Sequence, residues 1–143
     1  MSKSNYLETA VLHFWLKGNS GSTYSAPANV YLGILSTATD DDTLTEIAGS
    51  SYSATDGDGA VTSGNRPKIV FGSVSDNQIQ GPTSDIEYDN TSGSQFTVVG
   101  FGIYDAATAG NLLYWGTLSS SKQIENGDSI RFEASTSITI TEA

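Results

Sequence analysis

The chain has 143 residues, 6 basic and 16 acidic side chains for a formal charge of -10, 37% hydrophobic residues and no cysteine. It is long enough for one core, and the lack of cysteine excludes a disulfide-stapled miniprotein, a thiol nucleophile and any thiolate-held zinc or iron. The acidic balance repels nucleic acid, no apolar run approaches a membrane span, and no secretory signal opens the chain, so no nucleic acid, membrane insertion or cofactor is expected.

Serine, threonine and glycine supply 21, 16 and 15 residues, and only 15% of the chain is charged. Such a composition suits strands and turns and points to a mainly β fold. The exception is the start. Tyr6, Leu7, Ala10, Val11, Phe14 and Trp15 recur at helical spacing, which predicts an amphipathic helix over 4–17. Ser4 is placed to cap it, Glu8 and Lys17 complement its dipole, and Gly18 can supply the left-handed stop. Leu12 and Leu16 widen the apolar face, so the helix is expected to pack on a sheet or in a subunit interface. Tyr6, Leu7, Val11, Phe14 and Trp15 are the candidate interface residues.

A loop containing Gly18, Gly21 and Pro27 leads to a strand over 29–35, NVYLGIL, with Gly33 marking a bulge or a close backbone approach. An acidic stretch follows, with a short segment at 44–47. The four glycines of 49–66 predict an exposed hairpin or a loop of variable length. Further strands are expected at 68–74, 86–88, 95–105 and 112–118, with Gly100 and Gly102 interrupting the one at 95–105. Asn126-Gly127 is the strongest local hairpin signal and is expected to join a strand at 122–124 to SIRFEA. Alternating Ile138 and Ile140 end the chain in a strand. The inventory, seven or eight strands after a helix, predicts a single domain over 1–143: a two-layer antiparallel β-sandwich over 29–141 with an amphipathic N-terminal α-helix. No dinucleotide fingerprint or fixed-period repeat occurs.

Candidate chemistry is sparse. Asp40, Asp41 and Asp42, or Asp56 and Asp58, offer oxygen ligands of the kind calcium takes, but Pro67 stands where an EF-hand from Asp56 needs its glutamate. Solvated turns explain both groups. Asp85, Glu87 and Asp89 share one face of a strand, which alone makes no glycosidase pair. His13 is the single histidine and lies in the predicted helix, so, without cysteine, neither a three-histidine zinc site nor a conventional Cys-His pair can be built within one subunit. Trp15, Phe101, Tyr104, Tyr114 and Trp115 are aromatic candidates for carbohydrate stacking, with core packing the leading reading. Arg66 and Lys68 flank Pro67 without forming a nucleic-acid footprint.

The stretch FGIYDAATAGNLLYWGTLSSSKQIENGDSIRFEA at 101–134 resembles a family of small bacteriophage and prophage virion proteins, described as tail-fibre-like or as capsid decoration proteins. The resemblance rests on Phe101, Gly102, Ile103, Tyr104, Asp105 and Ala106, on Gly110, Asn111 and Leu112 through Gly116, including Tyr114 and Trp115, and on Gly127, Asp128 and Phe132. It implies a noncatalytic virion protein. An outer-capsid decoration or cement role, with the major capsid protein as partner and a homotrimer as the assembled state, is the leading expectation. A tail-fibre or receptor-binding module, partnered by tail proteins or a host surface receptor, is the alternative.

Overall fold

The computed structural model describes residues 2–18, 24–40, 42–135 and 137–142. Its elements run in chain order as β1 (Ser2–Lys3), α1 (Asn5–Leu16), β2 (Val30–Thr37), β3 (Thr45–Glu46), β4 (Tyr52–Thr55), β5 (Val61–Ser63), β6 (Lys68–Ile69), β7 (Gln78–Gly81), β8 (Ile86–Asn90), β9 (Phe96–Tyr104), β10 (Leu112–Ile124), β11 (Ser129–Phe132) and β12 (Ile138–Thr141), with a short 3-10 turn at Gly49–Ser51.

The expected antiparallel sandwich is the observed architecture. One layer is a six-stranded sheet in the order β1-β10-β9-β2-β3, in which β6 also pairs with β2; the other is a four-stranded sheet in the order β11-β8-β4-β5, and β12 pairs with β7 as a separate ribbon. Alternation puts Leu32, Ile34, Phe101 and Ile103 of the first sheet on the face that meets Tyr52, Ala54, Ile86, Tyr88 and Phe132 of the second, and all of these are buried in one cluster with Ile138 and Ile140. Edge-to-face rings bridge the layers. Phe101 meets Phe132 at 6.0 Å, Phe132 meets Tyr88 at 6.1 Å, and Tyr88 meets Tyr52 at 5.0 Å. The Tyr88 hydroxyl donates to the Leu32 carbonyl at 2.7 Å, and burial pushes its pKa well above 10, so it remains a donor.

The helix forms as its sequence dictates. Ser4 caps it by accepting the Leu7 amide at 3.2 Å, and Gly18 stops it at φ +63°. Ser4 is buried because its own amide and hydroxyl donate to the carbonyls of Leu113 and Leu112, anchoring the helix start to β10. No helix among the described residues is long and apolar enough to cross a membrane.

Several expectations need correction. The strand at 68–74 is only the two residues of β6, because the backbone beyond it is claimed by separate partners: Thr83 donates to Val70 and Gly72 donates to Gln80. The 49–66 segment is the hairpin β4–β5, closed by Asp56, whose side chain accepts the amides of Asp58 and Ala60 at 2.9 Å. The strand at 112–118 runs on to Ile124. Glu125–Asp128 is a tight turn, with the Asp128 amide donating to Glu125, but it is not a hairpin: β10 lies in one sheet and β11 pairs with β8 in the other. Positive φ falls on Gly127 (+89°) and not on Asn126, the type II pattern, and the turn carries the chain across the sandwich. Asn126 Oδ1 accepts the Gly93 amide, and buried Asn90 is bonded on both sides of its amide group, so this corner is pinned to the 90–95 loop. Gly21 and Asp41, named above as loop residues, lie outside the described residues.

The chain ends meet at β10. Glu142 pairs with Lys3 and accepts the Tyr114 hydroxyl at 2.5 Å. Its desolvation acts to raise the pKa, but the bonds from Lys3 and Tyr114 outweigh it and hold the carboxyl below its ordinary value.

Two predictions follow from these contacts. A Cβ at position 127 would have no neighbour within 4 Å, so Gly127→Val carries a purely backbone cost, and its denaturant midpoint should fall by the equivalent of about 1–2 kcal/mol. Because the folded pKa of Glu142 is depressed, its contribution is complete above the ordinary carboxylate value and is lost as pH falls through the folded value. Melting curves of wild type and Glu142→Gln should therefore differ at neutral pH and converge only once the pH has fallen below the ordinary carboxylate range.

Candidate functional site

Two groups of residues singled out by sequence come together at one end of β10. The helix lies against β10, with Leu113 beneath it, and the 105–111 loop that links β9 to β10 lies alongside. Tyr6, Leu7, Ala10, Val11, Phe14 and Trp15 line an open groove of about 270 Å³, completed by Tyr24, Pro27, Leu113 and Asp105. Asp105 belongs to the family-like run, so that run and the candidate interface residues share a surface. Gly127 and Asp128 do not join it; they hold the corner described above.

The expected packing of the helix is only half realised. Tyr6 and Leu7 are half-buried, and Tyr6 and His13 flank Tyr24 with ring centroids 5.3 and 5.8 Å away. No residue of α1 is fully buried. Phe14 is 50% exposed, Trp15 75% and Leu16 78%, and Phe14 and Trp15 stack edge to face on each other instead of on the sheet. Of the other aromatic candidates, Phe101 and Tyr104 are buried and Tyr114 and Trp115 partly so, which leaves Trp15 the openly exposed ring of the set.

The loop beside the groove is organised by Asp105. Its two oxygens accept the backbone and side-chain N–H groups of Asn111 at 2.6 and 2.8 Å, and its own amide donates to the Asn111 carbonyl. Gly110 sits at φ +72° with no room for a Cβ, which would meet Asp105 Oδ1 at 2.5 Å. The Asp-to-Gly-Asn spacing of the run is therefore a loop lock.

Sequence reasoning missed the centre of this arrangement. Arg66 is buried and forms a two-pronged pair with Glu46 on β3, Nε to Oε1 at 2.6 Å and Nη2 to Oε2 at 2.7 Å. Its Nη1 donates to the carbonyls of Ala106 and Ala109 at 2.8 and 2.7 Å, and its guanidinium carbon lies 3.6 Å from the centroid of the Tyr104 ring. Tyr104 in turn covers a cross-strand glycine pair, Gly33 and Gly102: a Cβ on either would meet its ring at 2.9 or 2.8 Å. Burial first, then Glu46, pushes the Tyr104 pKa up to about 12, so the ring facing Arg66 stays neutral. The only sequence hints were the paired glycines in two strand-like runs and a charge next to Pro67.

The acidic clusters are occupied by structure. Asp58 pairs with Lys68 at 2.5 Å, Asp40 accepts the Asp42 amide, and Asp85 holds the Ala134 amide and stands 3.6 Å from Arg131. Glu87 and Asp89 face away from the core on β8. Among the described residues no group of His, Asp or Glu is placed to hold a metal ion.

Removing Arg66 would strand Glu46 and two carbonyls, so Arg66→Ala should lower unfolding free energy by about 3 kcal/mol in urea titrations. Arg66→Lys keeps the charge but not the fork and should recover less than half of the loss; full recovery would show that charge alone suffices.

No curated protein matches the chain. A family model described as Podophage GP4 fiber I protein gp80 matches residues 2–141, from the start of β1 to the end of β12. The match takes in the helix, the Arg66 cluster, the Asp105 loop and the corner at Gly127. The chain belongs to the family of the podophage GP4 fiber I protein gp80.

Proposed function

We propose that this chain is a noncatalytic, tail-fibre-associated component of a bacteriophage virion, assembled as a homotrimer through the apolar face of α1. The observation that carries the fibre role is the family match across residues 2–141, which favours the tail over the outer-capsid position expected first from sequence. The exposed apolar face supports the assembly. Val11, Leu12, Phe14, Trp15 and Leu16 are more exposed than large apolar residues of a folded monomer usually are as a group, and such patches mark interaction sites. Charge favours the same face. Subunits of charge -10 repel one another, and α1 contains one acid, Glu8, and no Lys or Arg.

Two measurements test the proposal. Labelled antibody viewed by electron microscopy should mark the tail or its fibres; regular labelling of the shell would return the protein to capsid decoration. Light scattering should give three times the chain mass for wild type and the single-chain mass for Phe14→Ala/Trp15→Ala. Because both rings are half or more exposed within one subunit, the variant should lose no more than about 1 kcal/mol of subunit stability.

A further inference from the structure

A second surface lies at the other end of β10. A cleft of about 580 Å³ opens where β10 and β11 part after the 125–128 turn, flanked by Thr117–Ser120 and Lys122–Ile124 on one side and Ser129–Phe132 on the other. Both strands present free edges to it. β11 ends its sheet, paired with β8 alone, and the outer side of β10 is covered by β1 only at Tyr114 and Trp115. The ladder to β9 also breaks here: Thr117 pairs with Gly100 and Lys122 with Val98, so Leu118–Ser121 stand opposite Val99 alone and their backbone groups fall outside the register.

The cleft has an apolar floor and cationic walls. Phe101 and Phe132 lie at its base with rings 6.0 Å apart, and Leu118 and Ile130 are half-buried beside them. Lys122 and Arg131 supply two of the six cations of the chain, while no Asp or Glu among the described residues lines the cleft. Arg131 has one exposed contact, 3.6 Å from Asp85, and Lys122 has no ion-pair partner among the described residues. On a surface of charge -10, a cation-walled apolar cleft between two strand edges is matched by a chain of opposite charge.

We propose that this cleft receives an extended acidic segment of a partner protein, which adds as a strand beside β11, sets alternate apolar side chains on Phe101 and Phe132, and places carboxylates against Lys122 and Arg131. Strand addition draws affinity from main-chain bonds and specificity from alternate side chains. The four residues of β11 offer an edge of about 13 Å, enough for four or five residues of the incoming segment.

The probe is a fluorescein-labelled hexapeptide of alternating glutamate and valine, compared with its lysine–valine counterpart in anisotropy titrations at low ionic strength. The glutamate peptide should bind and the lysine peptide should not. Lys122→Glu/Arg131→Glu should weaken binding at least tenfold; both side chains are exposed, so the variant should keep the wild-type circular dichroism. The single change Lys122→Gln should give a smaller loss in the same direction. Amide shifts on titration should cluster at 117–123 and 129–132. Equal binding of both peptides, binding of neither, indifference to charge reversal, or shifts elsewhere would overturn the proposal, leaving the two cations as guards of bare edges. A change in assembly mass of the charge-reversed protein would also overturn it, assigning the cleft to a second copy of the chain.

Discussion

The outer face of the larger sheet depends on the neutralisation of one buried charge. A guanidinium taken out of water is costly unless every donor finds an acceptor in good geometry. Arg66 meets that demand only by drawing together groups 20 residues away on β3 and 40 and 43 residues away in the β9–β10 loop. The requirement then propagates. Tyr104 must lie flat beneath the guanidinium, and it can do so only because Gly33 and Gly102, paired across β2 and β9, have no side chains in its way. The glycines that weaken two strands by propensity are the condition for a cation–ring–glycine stack that ties the sheet to its loop.

This chain of requirements explains what could be read in the sequence. Ser4, the apolar stripe and Gly18 are local signals, and the helix they predict forms between them. The buried parts of β2, β8, β9 and β12 were legible because bulky and β-branched residues alternate or run together in them. Glutamine-rich β7 was not, since Gln78 and Gln80 face outwards and its single ladder is with β12, some sixty residues later. The serines of β10 likewise hide a strand whose partner is decided elsewhere. Asn126-Gly127 announced a turn correctly and its sheet partner wrongly. Turn chemistry is local, whereas the choice between pairing with β10 and crossing to β8 is made by burial of Phe132, with Ile130 packed beside it, in the core between the layers. Arg66 and Glu46 each look like surface charges in sequence; only the fold puts them 2.6 Å apart.

The candidate interface residues show the same limit from the other side. Periodicity established that α1 has an apolar face but not what covers it. Within one chain β10 covers the edge near Tyr6 and Leu7 and leaves Phe14, Trp15 and Leu16 in solvent. A sheet layer beneath these residues would bury them, yet the sandwich places both its layers around a different core, built mainly from β2, β4, β8, β9, β11 and β12. The helix is held by its capped start, through the bonds of Ser4 to Leu112 and Leu113, so its far end projects from the fold. A projecting apolar helix is costly for an isolated subunit and useful in an assembly, where the same area is removed from water.

β10 relates the two exposed surfaces to each other. Its first residues carry the helix, the chain-end clasp at Glu142 and the Asp105 loop; its last residues form one wall of the cationic cleft. The bulge at 118–121, where the ladder to β9 is interrupted, belongs to that wall. Leu113 closes the groove and Thr117 opens the cleft four residues further along, about 13 Å of strand and beyond the roughly 7–10 Å within which substitutions couple directly. Under the assembly proposed above, substitutions on the face of α1 and in the cleft beside β11 would act independently, and a subunit joined to its copies through one would keep the other for a different partner. That division would suit the proposed fibre role, with copies of the chain joined along one surface and a different partner held along the other.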